Sequence, residues 1–206
     1  MSAPPPRAWQ RMLSGRRLDV LDPSPFDIEL DDIAHGLARV ARWNGQTAGE
    51  HVFSVAQHAV LVEAIAVGLE PGLSGRDRLT ILLHDAPEYV VGDLITPLKA
   101  ALAEAFRPIE ERLLAAIHIR FGLPVAAPSS LRRLLKRADR AAAFHEAIRL
   151  AGFSRADALA VWGEPERLAV DVEALLAPWG SWEAERRFRA RIESAERSAD
   201  PRPARV

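Results

Sequence analysis

The sequence predicts an all-α protein with a single domain, and three observations support this prediction. Turn-forming residues separate periodic apolar segments at helical lengths, and no stretch shows the alternation typical of a strand. A chain of 206 residues is long enough for one buried core and short for two. The clearest helical period is formed by Val52, Val55, Ala56, Ala59, Val60, Val62 and Ile65.

Proline-rich ends are expected to lie outside this fold. We expect a flexible N-terminal segment over 1–14, one domain over 15–197 and a flexible tail over 198–206. A short helix is predicted over 28–40, followed by a longer one that starts near Val52 and stops near Gly68. Further helices are predicted over 76–86, 97–121, 130–151, 164–175 and 181–197.

The composition excludes several classes of site. The chain contains no cysteine, which excludes disulfides, thiolate ligands and cysteine nucleophiles, so a metal must be bound by nitrogen and oxygen. The formal net charge of -1 gives no overall attraction to nucleic acid polymers or to anionic membranes. Because neither a signal-like start nor an apolar run of about 18 residues occurs, we expect a cytoplasmic protein.

Two histidines lie at matched distances from one turn. His58 precedes the turn at 68–75 by about ten residues and His84 follows it by about nine, so an antiparallel helical hairpin would place them at one level. Asp85 follows His84 after an apolar run, where a charge without a partner would be costly. A metal with nitrogen and oxygen ligands would satisfy all three. Either histidine alone would more often be a hydrogen-bonded core residue.

Asp139 and Glu88 extend this set, although each has a simpler explanation. Asp139 lies among three basic residues, where a surface ion pair would account for it. Glu88 follows His84 by four residues, which would place it on the same face of a helix. Because Pro87 ends or kinks that helix, we expect Glu88 to lean over the site and not into the core.

The order of these residues resembles that of the HD-domain superfamily of metal-dependent phosphohydrolases. Residues 84–88 (HDAPE) and 92–99 (GDLITPLK) are similar to the HDAxE…GDLxTPxK signature of its bacterial YfbR-like 5'-deoxynucleotidase branch. Residues 54–58 (SVAQH) and 136–139 (KRAD) resemble two further segments, with Gln57 where an acid is usual. Arg42 and Trp43 resemble a pair that lines the nucleotide pocket in this family.

The resemblance implies an HD-domain helical bundle with one divalent ion between core helices. The ion would be Mn, Co, Ni, Fe, Zn or Mg, and the implied ligands are His58, His84, Asp85 and Asp139. The implied catalytic residues are Glu88, which would position or deprotonate water, and Asp93, which would also hydrogen-bond the sugar. The implied substrate-binding residues are Arg42, Trp43, Asp93 and Lys99. Otherwise Asp93 would be a turn residue, Trp43 a core residue and Lys99 a helix-capping residue.

The function expected from this resemblance is removal of the 5'-phosphate from (deoxy)nucleoside monophosphates. One alternative is a deoxynucleoside triphosphate triphosphohydrolase, which would release triphosphate in place of phosphate. Another is a non-catalytic nucleotide-binding module that keeps the metal motif. The expected partners are a small-molecule nucleotide and a second copy of the chain in a homodimer, and neither a nucleic acid polymer nor a membrane.

Overall fold

The computed structural model describes residues 7–166 and 171–199, and most of these residues are helical. The predicted all-α class is therefore confirmed. None of the described helices is both long enough and apolar enough to cross a membrane. The α-helices of the described residues are α1 (Leu30–Leu37), α2 (Val55–Leu69), α3 (Gly75–Leu82), α4 (Glu88–Val91), α5 (Thr96–Ala101), α6 (Ala103–Arg120), α7 (Ser129–Arg149), α8 (Arg155–Trp162), α9 (Glu173–Leu176) and α10 (Ser181–Ala199).

Helix α2 lies at the centre of the bundle. Every residue from Val55 to Ala66 is buried, and α2 packs against α3, α7, α9 and α10. The Ser54 side chain caps α2 by accepting a hydrogen bond from the Gln57 backbone N–H at 3.2 Å. A helix buried on all sides has little freedom to shift, so α2 fixes the position of any functional side chain it bears.

The long predicted helices are confirmed, whereas several of their ends differ. Helix α1 lies within the range predicted over 28–40, and α7 and α10 closely match the ranges predicted over 130–151 and 181–197. The helix predicted over 97–121 is divided into α5 and α6 at Leu102, whose ψ of 6° departs from helical geometry.

Helix α3 ends at Leu82, four residues before the predicted end. A helical path through Pro87 would bring its ring against the carbonyl of Leu83, and proline has no N–H to donate. The chain instead forms a tight turn over 83–87, in which the His84 N–H donates to the Ile81 carbonyl at 3.3 Å. His84 and Asp85 therefore lie in a turn and not on a helix as predicted.

The helix predicted over 164–175 is wrong in its position. Residues 163–166 are not helical, 167–170 lie outside the described residues, and only Glu173–Leu176 forms a short helix. A helix that was not predicted, α8, spans Arg155–Trp162 and is capped by Ser154, which accepts from the Asp157 backbone N–H at 3.1 Å. It ends at Gly163, whose positive φ of 72° is a backbone conformation that favours glycine.

A short hairpin, which the sequence did not predict, precedes the bundle. Strand β1 (Trp9–Arg11) pairs antiparallel with β2 (Arg17–Asp19), and three-residue strands are too short to show an alternating pattern. The Ser14 hydroxyl donates to Asp32 of α1 at 2.6 Å and ties the hairpin to the bundle. Strand β1 lies in the expected flexible segment over 1–14, and the expected tail over 198–206 begins inside α10. Residues 1–6 and 200–206 lie outside the described residues.

Candidate metal centre and cleft

The two predicted histidines meet at one point beside α2. His58 is the fourth residue of α2, and His84 lies in the turn after α3. Their ring centroids are 5.4 Å apart, as expected for residues at matched distances from one turn. Asp85 Oδ2 lies 3.5 Å from His58 Nε2 and 3.2 Å from His84 Nε2, so the turn directs both residues of the His-Asp pair toward the same space.

Asp139 approaches the same point from α7. Its Oδ1 atom is 3.3 Å from His58 Nε2, and the side chain is 44% exposed. Neither neighbouring arginine forms a surface ion pair with Asp139. Arg137 pairs with Glu166, and Arg140 donates to the Trp162 carbonyl. His58, His84 and Asp139 each offer one ligand atom, and these atoms all lie within 4.8 Å of one another, which could hold a metal ion.

The hydrogen bonds of both histidines fit metal ligation. His58 Nδ1 donates to Glu146 Oε1 at 2.6 Å, and His84 Nδ1 donates to the Ile81 carbonyl at 2.8 Å. Since each proton on Nδ1 is held in this way, a neutral ring has its lone pair on Nε2. Both Nε2 atoms are buried without a hydrogen-bond partner among the described residues. Two unpartnered imidazole nitrogens that face carboxylates are a donor set suited to a divalent cation.

Glu146 contacts the candidate site and was not predicted from the sequence. It lies on α7 seven residues after Asp139 and is fully buried. Besides accepting from His58, its carboxylate accepts from Trp43 Nε1 at 2.9 Å and from Arg42 Nη2 at 3.3 Å. Burial raises the pKa of Glu146, but the charges of Arg42 and His58 outweigh burial and lower the pKa to about 2. One ionised carboxylate therefore orients a metal-ligand candidate and two cleft residues.

The charges around the candidate metal centre strongly perturb one another. Burial and the Arg42 charge lower the pKa of His58, but Glu146 and Asp139 outweigh them and raise it to about 10, so a cation bound at Nε2 would displace a proton from that atom. Burial raises the pKa of Asp85, but His84, His58 and Arg42 together hold it below its usual range. The pKa of Asp139 is also lowered, because His58 outweighs the effect of burial. Both carboxylates are therefore ionised and available as ligands.

The candidate centre opens into a cleft of about 750 Å³ that brings all of the predicted substrate and catalytic residues together. The side of the cleft next to the centre is the ionic wall, formed by Arg42, Asp85, Glu88, Asp93 and Asp139. A second group of lining residues is the apolar wall, formed by Trp43, Phe153, Val161 and Trp162. Lys99 also lines the cleft.

Glu88 is buried in the ionic wall. Its Oε1 atom lies 3.4 Å from Lys99 Nζ, and its Oε2 atom has no hydrogen-bond partner among the described residues. Burial, together with the charges of Asp85 and Asp93, raises the pKa of Glu88 to about 9. Burial also raises the pKa of Asp93, whose Oδ2 atom is 3.6 Å from Arg42 Nη1. Lys99 bonds Glu110 at 2.7 Å, so this pair holds it beside the cleft.

Arg42 and Trp43 enter the cleft from a strained turn. Trp43 and Asn44 have φ values of 57° and 51°, a left-handed conformation that costs side-chain-bearing residues about 1–2 kcal/mol each. The Arg42 backbone N–H donates to the Phe53 carbonyl at 2.8 Å, and the Trp43 indole is anchored on Glu146. Strain that surrounding bonds maintain in this way is common at functional sites.

Phe153 and Trp162 were not predicted as site residues. Trp43 lies 5.7 Å from Phe153 and 5.8 Å from Trp162, measured between ring centroids, and Phe153 lies 5.4 Å from Trp162. All three ring pairs are tilted or edge-to-face, which is the favoured arrangement for aromatic side chains. An aromatic residue in a sequence indicates burial, but it does not identify the rings it will contact.

The chain is similar to a bacterial protein. Uncharacterized protein RCAP_rcc00048 of Rhodobacter capsulatus is 56% identical over 164 residues, which are 80% of this chain and 84% of the relative. No protein-family model matches the chain.

Proposed function

This chain belongs to the same family as that Rhodobacter capsulatus protein, and we propose that it is a metal-dependent phosphohydrolase of the HD-domain type. Its proposed reaction removes the 5'-phosphate from (deoxy)nucleoside monophosphates. The observation that supports this proposal most strongly is the pair of buried, unpartnered Nε2 atoms of His58 and His84 facing Asp85 and Asp139. Burial of such atoms is costly unless a ligand satisfies them.

The proposal gives each residue of the centre a role. His58, His84, Asp85 and Asp139 would hold the cation, while Glu146 and the Ile81 carbonyl orient the two imidazoles. A divalent cation in such a site activates water and offsets the negative charge of a phosphoryl group.

The remaining residues of the ionic wall fit the handling of substrate and protons. Glu88 lines the cleft, and burial raises its pKa, which makes its ionised carboxylate a stronger base toward a proton of water. Arg42 presents its guanidinium to the cleft and would bind a phosphate oxygen. Asp93 lies beside Arg42, where it would accept a hydrogen bond from the sugar.

The charge of the cleft favours a monophosphate over a triphosphate. Its described lining contains two basic side chains, Arg42 and Lys99, against four acidic ones. Lys99 is already paired with Glu110, which leaves Arg42 as the basic group proposed to bind phosphate. A triphosphate carries more negative charge than a monophosphate and would need more free cationic groups than this lining offers.

A substrate screen with product analysis tests this proposal. The protein is depleted of metal, reloaded separately with Mn, Co, Ni, Fe, Zn or Mg, and incubated with mono-, di- and triphosphates of the common nucleosides. We expect release of inorganic phosphate from the monophosphates. Release of intact triphosphate would favour the triphosphohydrolase alternative, and no turnover with any metal would favour a binding module.

A further inference from the structure

We propose that the apolar wall is the binding site for the substrate's base, with Phe153, Val161 and Trp162 as its specificity-determining residues. This inference deepens the proposed function and rests on it, because it names the part of the substrate that the cleft selects. The ligand class is a flat purine or pyrimidine base joined through a sugar to a phosphate on the ionic wall.

The two walls face a single cleft but differ completely in chemistry. The apolar wall presents three aromatic rings and Val161, an aliphatic side chain that is 59% exposed. Exposed apolar surface that lines a cleft beside charged groups is typical of a ligand site, because a ligand can cover it. A base offers flat apolar faces to these rings while its polar edges remain in the open part of the cleft.

The tryptophans of the chain separate into two groups. Trp9, Trp179 and Trp182 each have an arginine over the ring, with Arg17 at 4.1 Å from the centroid, Arg187 at 4.3 Å and Arg186 at 5.8 Å respectively. Trp43 and Trp162, the two that line the cleft, have no lysine or arginine over the ring among the described residues. Their surfaces are therefore not occupied by the cations that cover the other tryptophans.

The apolar wall is fixed relative to the candidate metal centre. Arg140 directly follows Asp139 on α7, and its side chain donates to the carbonyl of Trp162 at the end of α8. The buried residues Phe144, Ala147 and Ala158 pack α8 against α7. Since the same helix bears a metal-ligand candidate and anchors the wall, phosphate and base would bind at a set separation.

Two esters that differ only by the base test this inference. The wild-type protein is assayed with 2'-deoxyadenosine 5'-monophosphate and with 2'-deoxyribose 5-phosphate, and KM is measured for both. Trp162→Ala should raise KM for the nucleotide by about 5- to 150-fold, the range expected for lost base–aromatic stacking. The KM for the sugar phosphate should stay within about twofold of wild type.

A second variant guards against misfolding of Trp162→Ala. Val161→Ser removes apolar surface from an exposed position and should raise KM for the nucleotide alone by about threefold or more. Its matched control is Val125→Ser, because Val125 is 56% exposed and lies outside the cleft. Equal effects of Val161→Ser and Val125→Ser, or equal effects of Trp162→Ala on both esters, would overturn the inference.

Failure of the proposed function is detected separately. Binding of 2'-deoxyadenosine, which has no phosphate and needs no metal, is measured by saturation-transfer NMR on the wild type and on Trp162→Ala. Binding that depends on Trp162 without hydrolysis of any ester would support the base site and contradict the phosphohydrolase. Hydrolysis of both esters with equal KM and no nucleoside binding would support the phosphohydrolase and contradict the base site.

Discussion

The ionic and apolar walls face the same space, but different forces position them. In the ionic wall, hydrogen bonds and ion pairs at 2.6–3.6 Å fix each group, with Glu146 connecting His58, Arg42 and Trp43. In the apolar wall, the ring centroids lie 5.4–5.8 Å apart, and Arg140 holds the Trp162 backbone through a hydrogen bond. Hydrogen bonds and ion pairs fix the positions of individual atoms, whereas apolar packing constrains only the shape and volume of the site. We therefore expect changes to the ionic wall to affect turnover and changes to the apolar wall to affect substrate choice.

The largest expected effect is loss of the metal. Removal by a strong chelator should abolish hydrolysis of every substrate, because the cation would both activate water and offset the negative charge of the phosphoryl group. Asp139→Ala should lower metal occupancy, measured by elemental analysis. The control is Asp22→Ala, an exposed aspartate that does not line the cleft. Full turnover in chelator, with loss of the metal confirmed, would mean that the ionic wall does not support turnover through a metal and would remove this distinction from the apolar wall.

The second effect separates water activation from metal binding within the ionic wall. Glu88→Gln should leave metal occupancy unchanged and lower kcat by about 10²-fold or more, as expected when a general base is lost. Glu104→Gln is the matched control, since Glu104 is exposed and lies outside the cleft. If kcat of Glu88→Gln stays within a few-fold of wild type, another group activates the water.

The third effect tests whether Glu146 unites the ionic wall. In Glu146→Gln an amide donor replaces one acceptor oxygen and opposes the donors of His58, Arg42 or Trp43. Loss of a carboxylate that orients a metal-bound histidine typically weakens metal affinity by about 10- to 100-fold. Calorimetric titration with the preferred metal measures this affinity directly, without reference to turnover.

A buried glutamate elsewhere on the bundle provides the control for Glu146→Gln. Glu63 is also fully buried, and it accepts a hydrogen bond from Arg78 at 2.6 Å on a part of α2 away from the cleft. Glu63→Gln should lower the free energy of unfolding but leave metal affinity unchanged. Equal losses of metal affinity in both variants would mean that Glu146 acts only through stability.

The metal-ligand candidates could be predicted because their chemistry is restrictive. His58, His84 and Asp85 are ionisable residues in apolar segments, and burial of such groups requires partners. The spacing of His58 and His84 from one turn predicted that they would meet. The turn after α3, which ends at Leu82, directs Asp85 to the same point by a path that was not predicted. Glu146 also had a signal, since it lies seven residues after Asp139, about two helical turns, on the same face of α7.

The apolar wall could not be predicted for two reasons. Phe153 and Trp162 have no spacing that distinguishes a ligand site from ordinary core packing. The helix predicted over 164–175 also left Trp162 outside any predicted helix, whereas the Ser154 cap starts α8 at Arg155. Long periodic helices such as α7 and α10 were predictable, while the hairpin β1–β2 and the division of α5 from α6 depend on local contacts that leave little trace in the sequence.

Trp43 lies in the apolar wall but is bonded to Glu146 beside the ionic wall, and the smallest expected effect concerns its ring. Its indole N–H bonds Glu146 of the ionic side, while the ring contacts Phe153 and Trp162 of the apolar side. A ribose 2'-hydroxyl that meets this ring finds no hydrogen-bond partner there, which costs about 1 kcal/mol. The deoxynucleotide should then be preferred about fivefold.

Two variants of Trp43 separate its ring from its N–H. Trp43→Phe keeps an aromatic ring but removes the bond to Glu146, so it should retain the fivefold preference for the deoxynucleotide while lowering metal affinity slightly. Trp43→Ala removes the ring as well and should bring the ratio of kcat/KM for deoxy- over ribonucleotide close to one, because water then reaches the hydroxyl. If wild type hydrolyses both sugars equally, or if Trp43→Ala keeps the wild-type ratio, Trp43 packs the wall without selecting the sugar.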